Sequence, residues 1–467
     1  MHSQVETVKS AVDKCLEVIK TYEWLLDLYV LDFYVDNHWE KLPASWQKSL
    51  ENVDPKELGD ILSGNKTKHL LPLSLLALFK TISSLSIPRQ GYNCVRNNQV
   101  VEKYSCSHPK LKNLFLKHVK LKKRHEISMM ADFVNLNAKL SNCEAVVDFG
   151  SGLGHLIRIL SYKYSLHSVG IEMQTQLTVE ARNLDSELEY TAKKYLTEEQ
   201  MSNLRRPVHC NVTLSSIDQL QELSLSTSVT NYGLIGLHPC GDLGPLLIKH
   251  FVDCDKVKFI CIVGCCFMKL SCNTEPCGYP MSQYVKGIDS GLSYTSREIA
   301  CHAIDTYCER LCRGEYKDLK VHAYRAALEK LLVQLDPSLK HMPIRSVKHT
   351  NNMTFNSYCD AALNRISMKP LQHAAVEQDL VHWKRVVILY TLRLALAPLV
   401  ETVILLDRVL YMLENGTYFD SRVSMRFYYF TFDRLLCLVQ FDRLLCLVKF
   451  DRPHVVVPDL FPRPCTL

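Results

Sequence analysis

The residues best suited to chemistry stand in one short run, Asp148-Phe149-Gly150-Ser151-Gly152-Leu153-Gly154. The apolar residues Val146 and Val147 lead into it, and Leu156, Ile157, Ile159 and Leu160 follow at helical spacing. Glycines at such a strand-to-helix turn let the backbone bend tightly and approach a ligand closely. The helix start beyond them offers free N–H groups. A dinucleotide fingerprint reading from Gly150 and Gly152 needs a third small residue at position 155, which is His155. A P-loop needs G-K-[ST], which this turn lacks. What remains is a carboxylate at the strand end, followed by G-x-G-x-G. A carboxylate there repels a pyrophosphate and suits a ligand that carries positive charge.

A second carboxylate, Glu172, closes the apolar run Ser168-Val169-Gly170-Ile171, 24 residues after Asp148. At that strand end a carboxylate can accept ribose hydroxyl hydrogens. Together the two features resemble the first motifs of class I S-adenosylmethionine-dependent methyltransferases. The resemblance implies that Asp148, Gly150, Ser151, Gly152, Gly154 and Glu172 bind S-adenosyl-L-methionine.

The fourth apolar run, Leu234-Ile235-Gly236-Leu237, ends in His238-Pro239-Cys240-Gly241-Asp242-Leu243. Ligands of open α/β sheets lie outside the carboxyl ends of the strands. His238 and Asp242 are therefore candidate catalytic residues on the acceptor side, with His238 able to act as a base near neutral pH. The bland alternative is a packed, hydrogen-bonded histidine. The fifth run, Phe259 to Val263, leads to Gly264-Cys265-Cys266-Phe267. Cys261 with Cys265, and Cys272 with Cys277, fit the loose C-x₂₋₄-C spacing of zinc sites. Cys261 falls inside the strand, however, so no metal is expected and the paired cysteines read as a rim of the substrate pocket.

These strand signals, with a weaker one at Pro207-Val208-His209-Cys210, alternate with helical segments from Ala145 to about Leu270. That order implies an α/β fold with a parallel sheet covered on both faces. Residues 1–120 read as helical, with Val12, Leu16, Ile19, Leu26 and Val30 at near-helical spacing. Trp24, Trp39 and Trp46 are expected in the core, and Asp54-Pro55 is expected to open a helix. After Arg297 the chain reads helical again. Pro398 should split the last long apolar segment, and Asn415-Gly416 should end it. Beyond about Arg422, Phe432 to Val439 recurs residue for residue as Phe441 to Val448, and a third copy begins at Phe450-Asp451-Arg452.

The chain has 467 residues, and its 55 basic and 49 acidic side chains give 55 − 49 = +6. With 47% hydrophobic and 22% charged residues it has enough apolar surface to exclude global disorder. The basic stretch Lys110, Lys112, Lys117, Lys120, Lys122, Lys123 and Arg124 is either a solvated helix face or a patch for phosphates. No apolar signal segment opens the sequence, so the nineteen cysteines are expected to be reduced and the protein intracellular, cytoplasmic or nuclear. The apolar stretch Val386–Leu406 is interrupted by Arg393, Pro398 and Glu401, which favours a buried helix pair over a membrane span.

Asp148–Gly154, Glu172, His238–Leu243 and Gly264–Leu270 together resemble the methyltransferase-like protein 25 family. That family includes a paralogue named as a ribosomal RNA adenine dimethylase domain-containing protein. Lys122-Lys123-Arg124-His125-Glu126, Gly278 to Ser282, Ser296 to Ala303, Tyr324 to Glu329, Leu396-Ala397-Pro398 and Leu405 to Arg408 also match. The resemblance covers about residues 12–415. It implies a class I, Rossmann-like methyltransferase domain at 121–315, flanked by helical regions at 1–120 and 316–422, with 423–467 an atypical tail. It also implies that His125 and Glu126 close the cofactor pocket. The expected activity is methyl transfer from S-adenosyl-L-methionine, with RNA ranked first as acceptor because of the basic stretch, and protein second. Nothing points to DNA. The strand end at His238 lacks the aromatic residue expected for adenine N6 methylation. It is distantly similar to that of a transfer RNA 2′-O-methyltransferase family, which also carries paired cysteines after the fifth strand. The alternative function is a non-catalytic scaffold of the same fold.

Overall fold

Five short apolar runs become the parallel strands β1 (Ala145–Phe149), β2 (His167–Glu172), β3 (Val208–Asn211), β4 (Tyr232–Leu237) and β5 (Val257–Val263). They lie in the order β3-β2-β1-β4-β5, and β6 (Leu444–Val448) pairs antiparallel with β5 at the edge. This computed structural model describes residues 2–63, 69–87, 115, 119–212, 231–272, 277–288, 290–301, 304–314, 319–347, 350, 353–364, 366, 373–416 and 444–448.

Successive strand residues point to opposite faces of the sheet, and both faces here are covered. On one face Val146, Ile235, Phe259, Cys261 and Val263 pack with α2 (Leu121–Leu140), α3 (His155–Tyr162) and α4 (Thr175–Ala192). On the other face Val147, Phe149, Leu234, Ile260 and Ile262 pack with α5 (Leu243–Asp253). The same apolar cluster continues through α1 (His2–Thr21), α6 (Trp383–Ala395) and α7 (Ala397–Glu414). The N- and C-terminal helical regions thus share one core with the sheet, and α1 lies along α7.

Local expectations hold where backbone chemistry dictates them. Asp54 accepts the Lys56 N–H at 2.9 Å and caps the helix Pro55–Leu62. Pro398 sits in the first turn of α7, where its missing N–H costs nothing. Gly416, at φ +78°, follows the end of α7. Trp39 and Trp46 are buried, but Trp24 is not: it is 37% exposed while its neighbours Leu25 and Leu26 fill the core. In a helix of four residues only part of the circumference can face inward, and Trp24 falls on the outer part.

Trp383–Glu414 is long and apolar enough to cross a membrane, yet it forms the helix pair α6–α7 folded into the core. The pair buries Arg393, Glu401, Asp407 and Arg408. Asp407 ties α7 to the chain after β5. Its carboxylate accepts the Met281 N–H at 2.7 Å, the Ser282 N–H at 2.9 Å and the Ser282 hydroxyl at 2.7 Å. Burial pushes its pKa up, while these three donors and Arg408 oppose the rise. Asp407→Ala strands three buried donors and leaves Arg408 without its counter-charge. It is expected to cost about 3–5 kcal/mol, read as a lowered urea midpoint.

Candidate active site

The strand order reverses beside β1, with β2 on one side and β4 on the other. A crevice opens at such a switch point, outside the carboxyl ends of the strands. The glycine turn lies there, anchored by the Gly150 and Ser151 N–H groups donating to the Ile171 carbonyl at 2.9 and 3.2 Å. Gly150, Gly152 and Gly154 have φ of +75°, +56° and +66°, a region that side chains with a Cβ rarely adopt. The three differ in what surrounds them. A Cβ on Gly152 would meet nothing within 4 Å, and one on Gly150 only Leu243 at 3.7 Å. A Cβ on Gly154 would drive into the His209 ring. Gly150 and Gly152 thus leave room for a ligand, whereas Gly154 makes room for the protein.

Gly154 yields that space to a buried network the sequence reading missed. His209 on β3 contacts Asp185 of α4 at 2.6 Å, and Arg158 of α3 pairs with the other oxygen of the same carboxylate. Arg158 also donates to the carbonyls of Leu153 and Ala181, each at 3.1 Å. The network clamps the end of the glycine turn to two helices and a strand. Gly170 on β2 was likewise missed as a site residue. A Cβ there would stand 2.7 Å from the Ser151 Oγ, so its absence lets Ser151 settle against the sheet. Neither Arg158 nor Asp185 belongs to a recognisable motif; only their fold brings them together.

Asp148 and Glu172 end the adjacent strands β1 and β2 and are 2% and 7% exposed. Glu172 accepts the Gly152 N–H at 3.0 Å through Oε2 and the Gln174 N–H at 2.9 Å through Oε1. It therefore sits against the glycine turn. Asp148 Oδ1 is buried and has no hydrogen-bond partner among the described residues. Burial first, and the nearby Glu172 charge second, push the Asp148 carboxyl up to about 8. A buried acceptor beside a second carboxylate is the environment a cationic group would relieve. The open glycine turn, the unsatisfied acceptor and the ribose-compatible carboxylate all fit an aminoacyl nucleoside with positive charge.

His238 follows β4 at φ +66°, an unusual conformation for a residue with a side chain. Its Nε2 stands 3.6 Å from Glu126 Oε2 on α2. Glu126 is 6% exposed, whereas the preceding His125 is exposed. Of the two residues that the family resemblance assigned to pocket closure, the structure turns Glu126 inward and His125 outward. Asp242 is placed differently from His238. Its Oδ1 accepts the Ser271 N–H at 2.8 Å and packs against Gly278, which ties the turn after β4 to the loop after β5. Cys261 lies buried in β5, as its strand position implied. Of the basic stretch, Lys110, Lys112 and Lys117 lie outside the described residues, and Lys120 and Lys123 are exposed around the start of α2.

Residues 122–273 match a family model described as a methyltransferase domain. Two curated relatives carry the name "Probable methyltransferase-like protein 25". The mouse protein is 27% identical over 212 residues, which are 41% of this chain and 34% of that protein. The human protein is 25% identical over 245 residues, 49% of this chain and 39% of that protein. The matched part of the chain thus spans well under half the length of these relatives. Among solved structures, the plantazolicin methyltransferase BamL with a desmethylPZN analogue and SAH aligns at 15% identity and TM-score 0.21, over 48% of this chain and 71% of that one. Coclaurine N-methyltransferase with N-methylheliamine and SAH aligns at 11% identity and TM-score 0.21, over 84% and 94%. At that TM-score neither superposition carries an argument, and the fold rests on the strand order and the family model. On its parallel sheet, its glycine turn and these sequence matches, the chain carries a class I, Rossmann-like methyltransferase domain and is similar to the curated methyltransferase-like protein 25 proteins.

Proposed function

We propose that this chain binds S-adenosyl-L-methionine across the ends of β1 and β2 and transfers its methyl group to an acceptor beside His238. The observation that carries this reading is the pair of buried carboxylates at adjacent strand ends, one unsatisfied, beneath an open glycine turn. When bound, the cofactor supplies an electrophilic methyl group on a sulfonium. Asp148 offsets the positive charge of the ligand. Glu172, fixed by two backbone N–H groups, keeps lone pairs free for ribose hydroxyls. The His238 imidazole takes the proton released by the acceptor. Glu126 holds a carboxylate beside the ring, 3.6 Å from Nε2. Holding the two reactants in line supplies much of the rate enhancement.

RNA is the acceptor we rank first and protein the second. Lys120 and Lys123, the exposed lysines of the basic stretch among the described residues, stand at the start of α2, within two turns of Glu126. A polyanion would be concentrated there. The free thiols among the described cysteines suit a reducing cytoplasmic or nuclear setting.

The test uses cofactor carrying a radiolabelled methyl group, with total cell RNA and with protein extract. Label in RNA that nuclease releases and protease does not is the expected result. Label confined to protein would overturn the RNA assignment. No cofactor binding by the folded protein in calorimetry would overturn the enzyme. His238→Ala is expected to cut transfer by about 10²–10⁴-fold while leaving cofactor affinity unchanged.

A further inference from the structure

Three thiols that the methyl-transfer reading does not use meet beside the crevice. Cys240 follows β4, and Cys265 and Cys266 follow β5. The two strands are paired up to Leu237 and Val263, so their exit loops run side by side. The Sγ atoms form a closed triangle: Cys240 to Cys266 is 3.3 Å, Cys265 to Cys266 is 3.4 Å, and Cys240 to Cys265 is 3.8 Å.

The longest edge of that triangle matches a metal site, and the other two are about 0.4–0.5 Å tighter. Thiolates bound at about 2.3 Å to a tetrahedral centre stand about 3.8 Å from one another. A disulfide would join only two of the three sulfurs and would leave the convergence of the third unexplained. The other cysteines of this region are engaged elsewhere. Cys261 is buried in β5, Cys272 Sγ contacts the Leu270 carbonyl at 3.7 Å, and Cys277 Sγ contacts the Tyr279 carbonyl at 3.1 Å.

The backbone around the triangle is built to hold it. His238 and Gly241, at φ +66° and +61°, flank Cys240 and turn it towards β5. The Arg408 guanidinium lies over the Phe267 ring, 5.6 Å from its centroid, which braces the loop just after Cys266. The Asp242–Ser271 bond joins the two loops. Cys265 and Cys266 are half-buried and Cys240 is exposed, so the triangle is backed by protein and open on one side. Three protein ligands with one open position is the plan of a reactive zinc centre, as distinct from the closed four-ligand structural kind.

We propose that Cys240, Cys265 and Cys266 form a thiolate site for one soft divalent cation, zinc, with an exchangeable fourth position. Soft sulfur ligands select zinc over magnesium or calcium. Neither Asp148 nor Glu172 is a ligand of this site and its test needs no cofactor, so its failure is distinct from failure of the methyl-transfer reading.

The experiment titrates the fully reduced, full-length protein with zinc against a chelator, then with cobalt as an optical probe. The expected result is a single tight site with an intense sulfur-to-cobalt charge-transfer band and the visible bands of a tetrahedral ion. Cys240→Ser, Cys265→Ser and Cys266→Ser are each expected to weaken zinc by at least about 100-fold, since a direct ligand matters more than an outer-shell partner. Cys301→Ser and Cys312→Ser are expected to bind as wild type. If a variant fails to fold, alkylation of the wild type decides the matter. Zinc should protect Cys240, Cys265 and Cys266 together from iodoacetamide. Absence of binding, a cobalt spectrum without sulfur character, or protection that does not include all three cysteines would overturn the site.

Discussion

Affinity for S-adenosyl-L-methionine is expected to rise about tenfold for each pH unit up to about pH 8 and to level off above it. The cause is Asp148, whose carboxyl is pushed up to about 8 by burial and by Glu172. Below that pH the ligand-free protein keeps the proton on Asp148. A bound cation favours the carboxylate, so binding must release the proton, and linkage ties affinity to pH. Between pH 6 and pH 8 the change should approach about 100-fold. Asp148→Asn should bind weakly and with no such slope. Calorimetry in buffers of different ionisation enthalpy measures the released proton directly. A flat profile for the wild type would mean that Asp148 does not face the positive charge. The stability of the ligand-free protein runs the other way. A raised carboxyl contributes fully below its ordinary value of 3.8, and that contribution is lost as pH rises through about 8. Asp148→Asn should therefore melt above the wild type in alkaline buffer while binding cofactor less well, a trade seen where a site is kept under strain for function.

Gly154→Ala and Gly152→Ala should fail in different ways, though both replace a glycine of one motif. Either substitution forces an alanine into the left-handed region, at about 1–2 kcal/mol. At Gly154 the new methyl group also displaces His209 and so disrupts its contact with Asp185 in the Arg158 network. Breaking a buried charged network adds to the backbone cost, and the total expected is about 3–5 kcal/mol. At Gly152 the methyl group meets open space, so the stability loss should stay near the backbone cost alone. It would occupy ligand space instead. Urea unfolding should separate the two variants by about 1–4 kcal/mol, and cofactor titration should rank Gly152→Ala as the worse binder. Equal unfolding midpoints would show that His209 does not depend on Gly154.

The division between what could and could not be read from sequence follows the range of the interactions. β1, β4 and β5 announce themselves because strands buried on both faces are written as near-continuous apolar runs. Asp148, Glu172 and the glycines are legible because their spacing is set by one strand, one turn and one helix. Asp54 and Pro398 obey capping rules that operate within a few residues. Contacts made across the fold leave no such trace. The Asp185–His209 pair spans 24 positions and Asp407–Ser282 spans 125. Cys240 meets Cys265 and Cys266 because β4 and β5 are neighbours, a closeness that cysteine spacing along the chain does not encode. The inward turn of Glu126 and outward turn of His125 depend on how α2 is rotated against the sheet, a variable that sequence spacing along one helix leaves open.

The edge strand β6 has a spare. Its residues Leu444-Leu445-Cys446-Leu447-Val448 pair with β5 from Val263 back to Phe259. The identical five residue types stand at positions 435–439, one nine-residue step earlier. Pairing specificity in a sheet comes from side-chain pattern and register, and here two segments of one chain offer the same pattern to the same edge. Deletion of either copy therefore leaves the sheet a strand of unchanged composition on a shorter tether.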